Sequence, residues 1–147
     1  MRFFVTLRNF IAGAAIALAG AFSGLAHAEE VDPLDKYADF FGRLDACLMI
    51  EGDPVCEDVA KEIYEDSDVT RPLESVIKTL RTGQQCVKHS VGHTCVTTYK
   101  LFVRGAPKKD NKKSAAALYF LSKGCDLGRT RVCDSFEKNK AVLAQLK

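Results

Sequence analysis

The cysteines constrain this chain more than any other residue type, because they recur at a fixed period. Cys47, Cys86 and Cys125 are separated by 39 and 39 residues, and Cys56, Cys95 and Cys133 by 39 and 38. Each unit therefore holds one close pair: Cys47 with Cys56, Cys86 with Cys95, and Cys125 with Cys133. Nine steps along a continuous helix, at ~1.5 Å each, would hold two α-carbons ~13 Å apart, whereas a disulfide tolerates only ~4.4 to 6.8 Å. The chain must reverse between the members of a bonded pair. A helical hairpin brings the end of one helix beside the start of the next, so one local bridge per unit is the economical choice among the fifteen connectivities open to six cysteines.

The apolar residues repeat with the cysteines. Before each first cysteine a stripe at helical spacing appears: Tyr37, Phe40, Phe41 and Leu44, then Val76, Thr79 and Leu80, then Ala115, Leu118 and Tyr119. After each second cysteine comes another: Val59, Ala60, Ile63 and Tyr64, then Thr98, Tyr99, Phe102 and Val103, then more loosely Phe136, Ala141, Val142, Leu143 and Leu146. Turn formers separate the stripes at Gly52-Asp53-Pro54, at Ser90-Val91-Gly92-His93 and at Leu127-Gly128-Arg129-Thr130. Asp66-Ser67-Asp68 with Arg71-Pro72, and Gly105-Ala106-Pro107, join the units. The expected fold is all-α, an α/α solenoid of three disulfide-bridged helix pairs spanning approximately residues 35–73, 74–112 and 113–147. Strand is a poor competitor, since apolar and polar residues alternate only over the short stretch Cys95 to Tyr99.

A lone helix pair cannot bury its apolar stripe, and three pairs offer a thin core. On the chain-entropy account each bridge could restrict the unfolded state by roughly 2.5 to 3 kcal/mol, against a typical domain stability of ~5 to 15 kcal/mol. The cysteines are therefore read as structural first.

Such bridges need an oxidising compartment. The N-terminus supplies the matching address: Arg2 and Arg8 are basic, Phe10 to Ala26 is almost wholly apolar, and Ala26-His27-Ala28 has the small-x-small form of a cleavage site. Residues 1–28 are expected to be a signal peptide, leaving a soluble domain of residues 29–147, periplasmic or secreted, with no stable membrane insertion.

The third unit carries a more specific signature. Lys109-Asp110-Asn111-Lys112-Lys113-Ser114-Ala115-Ala116-Ala117-Leu118-Tyr119 is followed by Lys123-Gly124-Cys125-Asp126-Leu127-Gly128 and then Cys133. This segment resembles a Sel-one-like repeat of the cysteine-rich type found in Helicobacter cysteine-rich proteins. The first two units share the spacing but carry one more residue between their cysteines and lack the Asp-Leu-Gly signature. The resemblance implies a right-handed, tetratricopeptide-like superhelix of antiparallel helix pairs, one disulfide within each repeat, and a role in protein–protein contacts. Some cysteine-rich members are credited with binding penicillins and weakly hydrolysing them, so a β-lactam-binding or weakly hydrolysing enzyme is the alternative class.

Residues that could carry chemistry are sparse. Ser75-Val76-Ile77-Lys78 and Ser135-Phe136-Glu137-Lys138 have the Ser-x-x-Lys spacing, but a serine–aspartate–asparagine motif is absent and Arg81-Thr82-Gly83 lies too near Ser75 to stand for a separate Lys-Thr-Gly strand. Ser75 reads as part of a helix start. Cys86, His89, His93 and Cys95 could be drawn as a zinc site, yet the other cysteine pairs have no histidine between them, so a common disulfide explains all the pairs and zinc only one. Cys-x-x-Cys is absent, and with it the usual redox motif and the c-type haem attachment. No catalytic residue, metal ligand or cofactor is assigned.

Charge is more informative. Residues 29–74 hold 15 acidic and 4 basic side chains, a net −11, whereas residues 75–147 hold 4 acidic and 15 basic, a net +11. In a solenoid, where order along the chain is order in space, that division should separate an acidic end from a basic end and steer docking. The densest cationic spot is Lys108, Lys109, Lys112 and Lys113, which are the candidate partner-binding residues. A protein or peptide partner is expected, and head-to-tail self-association weakened by salt is a second consequence. Nucleic acid is not expected, because export removes most of it and no aromatic binding motif accompanies the lysines.

Overall fold

The computed structural model describes residues 31–50, 54–66 and 71–146. The signal-peptide reading of residues 1–28, the first hairpin tip at Gly52-Asp53 and residues 67–70 of the first linker lie outside the described residues. Among the described residues the fold is all-helical, with six α-helices packed in chain order in a solenoid-like arrangement. A short 3₁₀ turn, Asp35–Tyr37, leads into α1 (Ala38–Met49), followed by α2 (Pro54–Glu65), α3 (Leu73–Lys88), α4 (Gly92–Phe102), α5 (Lys112–Asp126) and α6 (Thr130–Ala144). None is long and apolar enough to cross a membrane.

Each helix buries the stripe that its sequence spacing creates. In α1, Phe40, Leu44, Cys47 and Leu48 recur at steps of four, three and one, forming one face, and all four are buried. Val59, Ala60 and Ile63 of α2 complete the first hairpin's inner surface. The second hairpin contributes Val76, Leu80 and Cys86 from α3 and Cys95, Tyr99 and Phe102 from α4. Gly83 of α3 is a packing requirement, because a β-carbon there would run into the ring tip of Phe120, which is fully buried.

Helix α5 is the hub. Ala115, Ala116, Ala117 and Leu118 form a continuous buried run, followed by Phe120, Leu121 and Gly124. A helix apolar on most of its circumference must be covered on most of it. Helices α4 and α6 pack on α5, and α1, α2 and α3 also reach it. The run of alanines lets several neighbours approach closely where larger side chains would hold them off. Helix α6 is the outer helix of the third hairpin and buries only Leu143 fully.

The bridges join Cys47 to Cys56, Cys86 to Cys95 and Cys125 to Cys133, with α-carbons 4.7, 4.8 and 4.8 Å apart. All lie where a first helix ends and a second begins. The chain reverses just after α3 and α5 through left-handed residues. After α5 this residue is Gly128, with φ +87°, and the Arg129 N–H donates to the Gly124 carbonyl at 3.1 Å. After α3 it is Ser90, with φ +53°, and the Val91 N–H donates to the Cys86 carbonyl at 3.1 Å. Both bonds span five residues and satisfy carbonyls that the helix end leaves without partners. A serine pays a steric penalty in this conformation that glycine does not.

These two positions give opposite expectations. Ser90→Gly relieves a left-handed side chain at an exposed site and should raise stability by up to about 1 kcal/mol. Gly83→Ala forces Phe120 to move inside a packed core and should lower stability by about 1 to 3 kcal/mol. Urea denaturation of both variants with the disulfides intact checks the pair, and a neutral Gly83→Ala would show that the α3–α5 contact is loosely packed.

Candidate functional site

The acidic and basic parts of the chain meet along α5. Tyr119 donates its phenolic O–H to Asp45 of α1 at 2.5 Å, and its ring lies 5.9 Å from that of Phe41. The Lys123 ammonium lies 4.0 Å from the same carboxylate. At the start of α5 the Lys112 N–H donates to Asp66 at 2.6 Å, while the Lys112 ammonium lies 3.7 Å from Glu62, which also receives Arg43 at 2.7 Å. The polarity reverses before α5, where Asp110 accepts from Tyr37 at 2.6 Å and pairs with Lys36. Lys140 of α6 lies 3.7 Å from Asp32. Exposed pairs of this kind contribute ~0 to 1 kcal/mol each, so their combined effect is to fix how the first hairpin seats on the third. The two charged halves are thus brought together by α5 instead of being held at opposite ends.

Five further basic residues gather beside this seam. The linker between α4 and α5 runs through Arg104, Gly105, Ala106, Lys108 and Lys109, and its conformation is held from within. Gly105 has φ +81°, Tyr99 donates its O–H to the Gly105 carbonyl, and Asn139 of α6 donates to the Tyr99 oxygen at 3.0 Å. Asn111 ends the linker and caps α5 by accepting the Ser114 N–H at 3.0 Å. Arg71, just before α3, donates to the Leu101 carbonyl at 3.0 Å near the end of α4. That bond satisfies a terminal carbonyl and fixes the guanidinium at the negative end of the helix.

Together these elements form an open groove of about 320 Å³. Its cationic lining is Arg71, Arg104, Lys108, Lys109 and Lys113, with Asn111 and Ser114 at the α5 end and Phe102 and Val103 at the α4 end. Among the described residues, no aspartate or glutamate lines it. Lys108 and Lys109 are exposed, whereas Lys113 is half-buried. Burial pushes the Lys113 amine below the usual lysine range, and the positive charges of Arg71 and Lys109 push it further in the same direction. Lys113 also borders a narrow crevice whose apolar walls include Ile63, Val76, Leu101 and Phe102.

The four lysines singled out by their density therefore divide. Lys108, Lys109 and Lys113 line the groove, while Lys112 reaches Glu62 of the first hairpin. Arg71 and Arg104 join the groove without having been singled out in the sequence. Arg104 carried a legible signal, because it opens the same Gly-Ala-Pro linker. Arg71 lies 37 residues before Lys108 and carried none.

The other candidate chemistries disperse. Ser75 lies at the crevice, whereas Lys78 is exposed. Ser135 is exposed and its hydroxyl donates to the Arg131 carbonyl at 3.5 Å. Cys86 and Cys95 are joined to each other, so their sulfurs are not thiolate ligands for His89 and His93. Comparison of the chain with protein-family profiles, with curated proteins and with solved structures found no match.

The seam makes a pH prediction. Burial, followed by the hydrogen bond to Asp45, raises the Tyr119 phenol well above the ordinary tyrosine value, and burial with Asp110 does the same to Tyr37. The folded state thus holds these protons more tightly than the unfolded state does. This contribution is fully present below about pH 10, the ordinary tyrosine value, and is lost as pH rises beyond it. Urea midpoints measured from pH 8 to about 11 should fall more steeply for the native protein than for the Tyr37→Phe/Tyr119→Phe variant. Parallel declines would show that the two phenols do not govern alkaline stability.

Proposed function

We propose that this protein is an exported binding module of the Sel-one-like, cysteine-rich kind, whose groove between α4 and α5 receives an acidic segment of a partner protein or peptide. The observation that carries the reading is the groove's lining: five basic side chains beside Phe102 and Val103, with no carboxylate among the described lining residues. Elsewhere along α5 the lysines are matched to carboxylates of the first hairpin, at Glu62 and Asp45. The groove concentrates positive charge where the ends of α4 and α5 converge, and such a surface steers acidic partners and fixes their register.

Compartment and fold support the same reading. Three disulfides suit a periplasmic or extracellular protein. Residues 1–28 provide an export signal in this scheme, and removal after Ala28 would leave the hairpins as the mature domain. Helix-pair repeats are suited to the task because short rigid elements hold a binding surface in place without ordering it on contact.

Fluorescence anisotropy with a labelled aspartate- and glutamate-rich peptide tests this. Saturable binding should weaken about tenfold in Arg104→Gln/Lys108→Gln, the effect of losing roughly 1.4 kcal/mol from two charged contacts. It should also weaken as salt rises from about 0.05 to about 0.5 M, where the screening length falls below ~5 Å. Binding indifferent to both changes, or no saturable binding to acidic peptides, would remove the reading.

A further inference from the structure

Lys113 differs from the other lysines of the groove in its setting. Its side chain lies between the cationic groove and the apolar crevice, and it lines both. Ile63, Val76, Leu101 and Phe102 form the apolar part of the crevice wall, beside Ser75 and Thr79, and this packing half-buries the Lys113 side chain. Arg71 stands near it and is held in place by its bond to the Leu101 carbonyl at 3.0 Å. The Lys113 position is equally fixed, because it sits one residue inside α5, after the Asn111 cap. A low-dielectric wall and adjacent positive charge are the two ways a protein favours the neutral, nucleophilic form of a lysine. Both are present here, and the lowered proton affinity of this amine agrees with them.

We propose that Lys113 is a carbonyl-capturing residue, which condenses with a small anionic aldehyde or 2-oxo acid drawn into the groove by Arg71, Arg104 and Lys109. The Lys113 nitrogen lone pair attacks the carbonyl carbon, and the carbonyl oxygen takes up a proton to give a carbinolamine. Loss of that oxygen as water, with both amine hydrogens accounted for in the water released, leaves a C=N bond between Lys113 and the ligand. No oxidant or reductant is consumed. The carboxylate of the ligand answers the surrounding cations, which an uncharged carbonyl compound cannot do. This site uses the same groove as peptide docking but not the same ligand, and neither activity requires the other.

The test uses the disulfide-bonded protein with glyoxylate as the anionic probe, acetaldehyde as the uncharged comparator, and cyanoborohydride to reduce the imine to a stable secondary amine. Peptide mass spectrometry then reads the modification rate at each lysine. With glyoxylate, Lys113 should be labelled on the order of tenfold faster than Lys108 or Lys109. That preference should shrink with acetaldehyde and in Arg104→Gln. Lys113→Arg keeps a long basic side chain but removes the nucleophilic amine, and should abolish the fast labelling. Labelling spread evenly over the lysines, or equal preference with both probes, would overturn the proposal. The acidic-peptide measurement on the same samples separates the two ideas. Fast Lys113 labelling without peptide binding overturns docking alone, and peptide binding with evenly spread labelling overturns carbonyl capture alone.

Discussion

The reversal of the chain within each bridged unit is the constraint on which the rest of the structure depends. A disulfide with α-carbons 4.7 to 4.8 Å apart fixes the close end of each hairpin, so the two helices must diverge from that point. Buried side chains then fill the space between them: Leu44 and Val59 in the first hairpin, Leu80 and Tyr99 in the second, Leu118 and Leu143 in the third. No hairpin covers its own inner face, and α5 supplies the shared cover. Gln84 shows how closely the units are keyed at the bridged end, where its side-chain amide donates to the Cys47 carbonyl at 3.1 Å, tying α3 to the end of α1.

Electrostatics follows from this packing. Once α5 lies against the first hairpin, its Lys112 faces Glu62 of α2 and its Lys123 faces Asp45 of α1. The linker ahead of α5 crosses the end of α4 instead, where the Leu101 carbonyl accepts from the Arg71 guanidinium. Positive charge gathers in the groove because the fold brings Arg71, from before α3, beside Arg104, Lys108, Lys109 and Lys113. The zero net charge of residues 29–147 therefore conceals a groove lined by five basic residues.

The hairpins were legible in the sequence because two independent periods coincide in it. Cysteine spacing marks where the chain turns, and the stripes at Phe40–Leu44, Val76–Leu80 and Ala115–Leu118 mark which face turns inward. Both signals are local and survive without knowledge of neighbours. The contact of α5 with the first hairpin was not legible, because how tightly a superhelix winds is set by side-chain sizes at several helix contacts together. Ala115, Ala116 and Ala117 allow the close approach, yet alanine is also simply a good helix former and carries no instruction about partners. Gly83 is similar, since its role as the seat of Phe120 exists only after α3 and α5 meet. Arg71 enters the groove for the same reason, through a tertiary bond to α4.

The lysine run shows how a single sequence feature becomes two structural ones. Read along the chain, Lys108 to Lys113 is one cationic patch. Asn111 changes that by starting a helix inside it: its backbone is extended, its side chain caps Ser114, and helical geometry begins at Lys112. Successive helical residues point about 100° apart, so Lys112 and Lys113 cannot serve the same surface. One goes to Glu62 and helps seat the first hairpin, and the other goes to the groove, beside an apolar wall. Starting the helix at Lys112 thus sends one positive charge to the seam with the first hairpin and leaves the next one in the groove.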